Sequence, residues 1–394
     1  MLLGILASIL LGVTFGTFTG LIPGIHINLI GVFVVSLSTT LFLKLNPLIL
    51  VVFITSMAIT HTFIDFIPSI FLGCPDTDTE LSVLPGHELL KKGQGYQAIA
   101  LANYGSLAAI IILVLIVFPS TLFFSNFYEL IKNSIPFILI ATSIFLIFLE
   151  KNKISAIIVF VITGILGLCV LNLESAKEPL LPLLTGLFGS SMLVKSIKSK
   201  TKIPEQIIEK PKIKSIKPFL GSLVAPICSF LPGLGSGQAA ILGHTITRSK
   251  KQEDFLILLG TTNTLVMGFS FLSLYLISKT RTGAAVAIQE LVGSLNPPTT
   301  ILIVLTIIFA GVISFFLTNI LAKKFSTKIN KINYRNLSIL TLIILAIVTI
   351  LVSGILGFLI LVISTATGLY CISTGTRRTQ MMGCLLLPTI LFYL

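Results

Sequence analysis

The side chains best placed for chemistry occur in matching segments. GTFTGLIPGIHINLIG (16–31) sets Pro23-Gly24 inside an apolar run and follows the pair with His26 and Asn28. FLPGLGSGQAAILG (230–243) repeats the device with Pro232-Gly233, then Gly235, Ser236, Gly237 and Gln238. A helix that restarts after Pro-Gly offers free backbone N–H groups and the positive end of its dipole. Glycines at 24, 233, 235 and 237 let a ligand approach that backbone closely. Such an end suits an anion. The plainer alternative is a kink whose polar neighbours satisfy loosened backbone groups.

Two more pairs follow in the same order. Thr60-His61-Thr62 is answered by Thr262-Asn263-Thr264, and Thr77-Asp78-Thr79 by Thr280-Arg281-Thr282. Four of the fourteen acids, Asp65, Asp76, Asp78 and Glu80, fall within sixteen residues. Helical spacing puts His61 and Asp65 on one face. Acids inside a membrane commonly belong to ion or proton relays, which points to Asp65 or Asp78 as carrier of a proton or a sodium ion. If 74–80 is a solvated loop, its acids are surface groups instead. Arg281 could clamp a carboxylate or phosphate with its forked guanidinium, or anchor a loop.

The elements that must position these groups are membrane helices. The chain has 394 residues, 55% of them hydrophobic and 10% charged, with a mean hydropathy of +1.05. Soluble domains carry about 25% charged residues. Apolar runs such as 155–171 and 299–320 come near the ~20 residues a spanning helix needs. The ~10-residue alternating segments of a membrane barrel are absent, as are the basic start and small-residue cleavage site of a removable signal peptide.

The three matches lie at offsets of 209, 202 and 203, close to one diagonal, which reads as an internal duplication. Loop charge gives its orientation. The first copy is basic at 88–94 and 150–153, and the counterparts near 293–298 and 353–354 carry no basic residue. The second copy is basic at 248–251 and 323–335, where the first has one lysine in each counterpart. Under the positive-inside rule the copies insert oppositely, as an inverted repeat. The expected fold is therefore an all-α polytopic membrane protein with repeats 1–196 and 218–394 and roughly ten to twelve membrane segments. The linker 197–217 lies in a stretch, 195–217, with eight lysines and two glutamates, so it is expected in the cytoplasm, either solvated or against lipid headgroups. Counting from it, 218–247 leaves and returns within about 30 residues, fewer than the ~40 that two crossings need. The segment reads as a re-entrant hairpin with Pro232-Gly233 at its tip, and 16–31 as the start of its counterpart from the other face.

Several function classes fall away. The net charge of +13 sits in short loops, with no basic stripe interleaved with aromatics, so no nucleic-acid partner is expected. The five cysteines have no metal-ligand spacing, and neither a metal nor a cofactor is expected. HExxH, GxSxG and Walker motifs are missing, so the chain is not read as an enzyme or an ATP-driven machine. His87 and His244, beside basic loops, read as interfacial.

The stretches LIPGIHINLIG, CPDTDTELSVLPGHELLKKGQGYQAIAL and SFLPGLGSGQAAILG resemble the large membrane subunit of the tripartite tricarboxylate transporters, the TctA family. Lys91-Lys92-Gly93-Gln94 matches the family's lysine-glycine-glutamine loop, whereas Cys74-Pro75-Asp76-Thr77-Asp78 adds acid where the family is mainly small and neutral. The paired Pro-Gly hairpins are also similar to those of polyprenyl-phosphate translocases. The first resemblance implies ion-coupled secondary transport, with a small membrane subunit and an extracytoplasmic binding protein as partners. The expectation is alternating-access transport of a small organic anion, the alternative a phosphate-headed lipid. The anion would be held by Gly24, His26, Asn28, Gly233, Gly235, Ser236, Gly237 and Gln238, lined by Thr60, His61, Thr62, Thr262, Asn263, Thr264 and Arg281, and coupled through Asp65 or Asp78.

Overall fold

The computed structural model describes residues 2–22, 34–35, 46–72, 79–173, 175–176, 179–199, 204–231, 234–249, 251–329 and 334–394. Helices α1 (Leu2–Leu21) and α2 (Pro47–Ile64) open the chain. The N-cap Asn46 accepts from Leu48 N at 3.0 Å and Pro47 supplies the preset φ of a first helical turn. After Asp65 come α3 (Phe66–Leu72), a 3-10 turn (Glu80–Ser82), α4 (Val83–Lys91), α5 (Gly95–Lys132), α6 (Ile135–Phe148) and α7 (Lys153–Leu171). Next are α8 (Leu180–Leu184), a π-helical turn (Thr185–Ser190) and α9 (Ser191–Ser199). The second half holds α10 (Lys217–Ser222), α11 (Ala225–Phe230), α12 (Ser236–Thr247), α13 (Gln252–Ile277), α14 (Gly283–Val292), α15 (Pro297–Lys328), α16 (Tyr334–Thr374) and α17 (Gly383–Tyr393). No strand occurs among the described residues.

Seven described helices are long and apolar enough to cross a membrane. Their outer faces carry exposed Leu3, Phe118, Ile301 and Leu351, the surface a lipid solvent favours. The protein is an all-α polytopic membrane protein. Burial sorts the spans: 94% of the α13 window lies inside the protein and 78% of the Pro47–Leu72 window, against 22% for Ser338–Thr374. The two helices that carry the Thr-His-Thr and Thr-Asn-Thr triplets therefore form the centre.

Each central helix packs against a long helix from the other half of the chain. Helix α13 lies along α5, where Ser106 Oγ donates to Gly260 O at 3.1 Å. Helix α2 lies against α15, where Ser314 Oγ donates to Thr60 Oγ1 at 2.9 Å. The first contact is close enough to require glycine on both sides. A Cβ on Gly260 would stand 1.9 Å from Ala102 O, and one on Gly105 2.1 Å from Ile257 O. Without a water-driven hydrophobic force between helices, such small-residue faces let backbones meet and gain dispersion energy.

Helices α10–α11 and α12 form the second hairpin. Both arms pack on α13, and a Cβ on Gly243 would meet Gly221 O at 2.3 Å, so the chain returns antiparallel. The arms run 217–230 and 236–247, each shorter than the ~20 residues of a crossing. The tip, Pro232-Gly233, lies outside the described residues, as do 23–33 of the expected first hairpin. Helix α16 also turns back. Gly354 has φ 69 and ψ −168, and a Cβ on Gly357 would lie 3.6 Å from Thr349 Cγ2, eight residues earlier. An unbroken helix would separate those residues by ~12 Å. Gly354 is where the loop counterpart of 150–153 is expected.

The linker is strapped down at one point. Ile207 N donates to Gly93 O at 2.7 Å, and Gln206 accepts from Gly95 N and donates to Leu90 O. Linker and KKGQ loop thus share a side of the molecule, as their lysines require.

Candidate functional site

The polar triplets meet at the centre of the bundle. Thr62 Oγ1 and Thr264 Oγ1, counterparts in the two halves, lie 3.0 Å apart. Asn263 Nδ2 donates to Asp65 Oδ2 at 3.0 Å and reaches Thr62 O at 3.4 Å. His61 Nδ1 is 3.0 Å from Thr19 Oγ1, which brings the end of α1, just before Pro23-Gly24, onto the same cluster. Thr60 bonds Ser56 O and Ser314, and Thr262 bonds Leu259 O. Asp65 is 3% exposed and Asn263 2%. A carboxyl group at such depth is costly unless polar groups compensate it, and the Asn263 amide is one such group.

A second arrangement recurs in both halves. Ser69 Oγ lies 2.6 Å from Thr79 Oγ1, and Ser270 Oγ lies 3.0 Å from Thr282 Oγ1. Thr282 caps α14, accepting from Ala285 N at 3.3 Å. Beside it Arg281 Nη2 donates to Phe230 O at 2.7 Å and so holds the end of the outgoing hairpin arm. Ser273 Oγ contacts Ser229 O on the same arm at 3.4 Å. Arg281 thus ties the start of α14 to the end of the outgoing hairpin arm. Its Nε is buried with no partner among the described residues.

On the returning arm, Gly235, Ser236, Gly237 and Gln238 open α12 as expected. Gln238 Oε1 accepts from Gly235 N at 2.9 Å, while its Nε2 is buried with no hydrogen-bond partner among the described residues. Leaving a buried amide donor unmade costs about 1–3 kcal/mol, so this N–H is available to a bound acceptor. Gly24, His26, Asn28, Asp78 and Gly233 lie outside the described residues.

The structure adds residues that spacing alone missed. Thr19 sits four positions before Pro23 and its place could have drawn notice, but nothing in the sequence marks Ser314, Ser270 or Ser273. The two histidines read as interfacial are both partly buried. His244 packs edge-on against Phe255 with ring centres 4.9 Å apart. His87, on α4 outside the apolar spans, is pushed down to about 4 from 6.5, chiefly by burial and then by the Arg378 and Lys91 charges. The unfolded chain therefore takes up a proton between pH 6.5 and pH 4 that the folded chain refuses. This contribution to stability is complete above pH 6.5 and lost as pH falls toward 4, on the order of 3 kcal/mol. Thermal midpoints measured from pH 7 to pH 4 should fall less steeply for His87→Phe than for the wild type.

Residues 6–383 match the family described as the tripartite tricarboxylate transporter TctA family. An uncharacterized protein of Methanocaldococcus jannaschii is 35% identical over 401 aligned positions, covering 99% of each chain. No solved structure matches the chain.

Proposed function

The chain belongs to the tripartite tricarboxylate transporter TctA family, a family of membrane transporters, and on that premise we propose that it moves a small organic anion of the carboxylate class by ion-coupled alternating access. The observation that carries this reading is the central contact, where Thr62 meets Thr264 and Asn263 bonds the buried Asp65. Equivalent positions touch their own counterparts only near a two-fold axis, which supports an inverted repeat of 1–196 and 218–394 around the linker 197–217. A site on such an axis is the one place that two rocking halves can expose alternately to either side. The Ser69–Thr79 and Ser270–Thr282 pairs support the same symmetry.

In this scheme the hairpin tips hold the anion. Backbone N–H groups after Pro23-Gly24 and Pro232-Gly233, with the Gln238 amide, face its oxygens, and Asp65 or Asp78 takes the coupling proton or sodium ion. Partners are those of a large membrane subunit, a small membrane subunit and a binding protein that delivers the anion.

Equilibrium binding of labelled citrate to the purified protein tests the tips. Gly233→Leu should abolish binding while the protein stays folded, because its side chain would occupy the anion's space. Gln238→Ala should weaken binding by about 0.5–1.5 kcal/mol, more if the bond is to a charged oxygen. Full affinity in Gly233→Leu would move the anion elsewhere. Binding of a polyprenyl phosphate with no binding of di- or tricarboxylates would replace the carboxylate reading by lipid translocation.

A further inference from the structure

A cavity of about 560 Å³ opens beside the far end of α12, lined by Ile241, His244 and Thr245. His244 stands eight residues beyond Ser236, about 12 Å along the helix axis, so the cavity is separate from the hairpin tip. Four cations reach it from three segments far apart in sequence. Lys195 comes from α9, Lys251 from the turn before α13, and Arg377 and Arg378 from the chain after α16.

They outnumber the carboxylates among the described lining residues four to one. Among the described lining residues the one carboxylate is Glu88, which already accepts from Gln252 Nε2. Arg377 lies 3.8 Å from Glu150 and stays half exposed. One of the contacts of Arg378 is to Met192 Sδ. The N-terminus of the 26-residue α13 reaches the wall through Lys251 and Gln252, with Glu253 and Asp254 in the same first turn. His244 Nδ1 is buried with no partner among the described residues. Thr376 adds a hydroxyl, and Leu149, Ile241 and Phe255 make an apolar part of the wall.

Arginine forks, lysines and a helix N-terminus together suit a phosphoryl group better than a lone carboxylate. Near neutral pH that group concentrates about −1.5 to −2 charges on three acceptor oxygens. We propose that the cavity binds an organic phosphate, its phosphoryl group among Lys195, Lys251, Arg377 and Arg378 and its apolar body against Leu149, Ile241 and Phe255. The ligand is either an anionic lipid headgroup or a soluble phosphoester, and the recognition chemistry is the same for both.

The test uses the full-length protein in lipid-free detergent and in nanodiscs, with hexyl phosphate, methyl phosphate and phosphatidate as probes. Hexyl phosphate should bind more tightly than methyl phosphate, because only it reaches the apolar wall. Saturable hexyl phosphate binding in detergent identifies a soluble source. Binding confined to phosphatidate nanodiscs identifies a lipid source. Lys195→Gln with Lys251→Gln, two exposed side chains, should weaken the phosphate probes by roughly tenfold or more. The Asp65→Asn protein should bind them as the wild type does. No saturable binding of any probe overturns the proposal, as does equal binding by the double variant, tighter binding of citrate in the cavity, or loss of binding in Asp65→Asn.

Discussion

Asp65→Asn is expected to reduce gradient-driven accumulation of the anion to the level of empty vesicles while leaving equilibrium anion binding near that of the wild type. The amide is nearly isosteric with the carboxylate and can still accept from Asn263 Nδ2, now 3.0 Å from Asp65 Oδ2. It cannot carry the proton or offer the charge that holds a cation. Asn263→Leu should act differently, because it leaves the charged oxygen of a 3%-exposed side chain without that donor. The cost is about 1–3 kcal/mol or more, visible as a lower thermal midpoint. Binding and flux measured on the same purified variants separate the two effects. Full accumulation by Asp65→Asn would remove this residue from the coupling step.

Gly260→Val is expected to prevent assembly of the bundle. A Cβ there would stand 1.9 Å from Ala102 O and 2.7 Å from Ala102 C, both backbone atoms of a long helix that has no room to retreat. Even Gly260→Ala should cost about 1–3 kcal/mol or more, since overpacking forces backbone shifts. Gly293→Ala provides the contrast. Nothing lies within 4 Å of that position, and its φ of 67 with ψ −118 adds only local backbone strain, about 1–3 kcal/mol. Size-exclusion profiles and thermal midpoints in detergent should rank Gly260→Val far below Gly293→Ala. Equal stability of the two would mean that α5 and α13 do not pack backbone to backbone.

Much of the architecture was legible because the lipid environment leaves few choices. Apolar run length set the helices, and loop lysines placed the linker beside the 91–94 loop, where Ile207 N bonds Gly93 O. The Pro232-Gly233 break inside a 30-residue run announced the α10–α12 hairpin, and the diagonal at 202 paired Thr62 with Thr264, whose hydroxyls lie 3.0 Å apart. The loop counterpart near 353–354 anticipated the turn at Gly354, which an apolar run of 41 residues hides. Contacts between distant segments were not legible. Nothing local pairs Asp65 with Asn263, Thr60 with Ser314, or Gly105 with Ile257, because those choices are made by packing angles between helices. The cationic cavity draws on Lys195, Lys251, Arg377 and Arg378, and basic residues in three separate segments read simply as solvated charge. Arg281 could be given two roles from sequence, and its bond to Phe230 O is a contact that the sequence does not announce.

The most direct measurement is uptake of a labelled di- or tricarboxylate into proteoliposomes of the purified protein under an imposed proton or sodium gradient. Accumulation above equilibrium that collapses when an ionophore dissipates the gradient, and that is lost in Asp65→Asn, is the predicted result. Carboxylate that never rises above the level of protein-free vesicles, or rises equally with and without the gradient, would contradict ion-coupled transport through the Thr62–Thr264 centre.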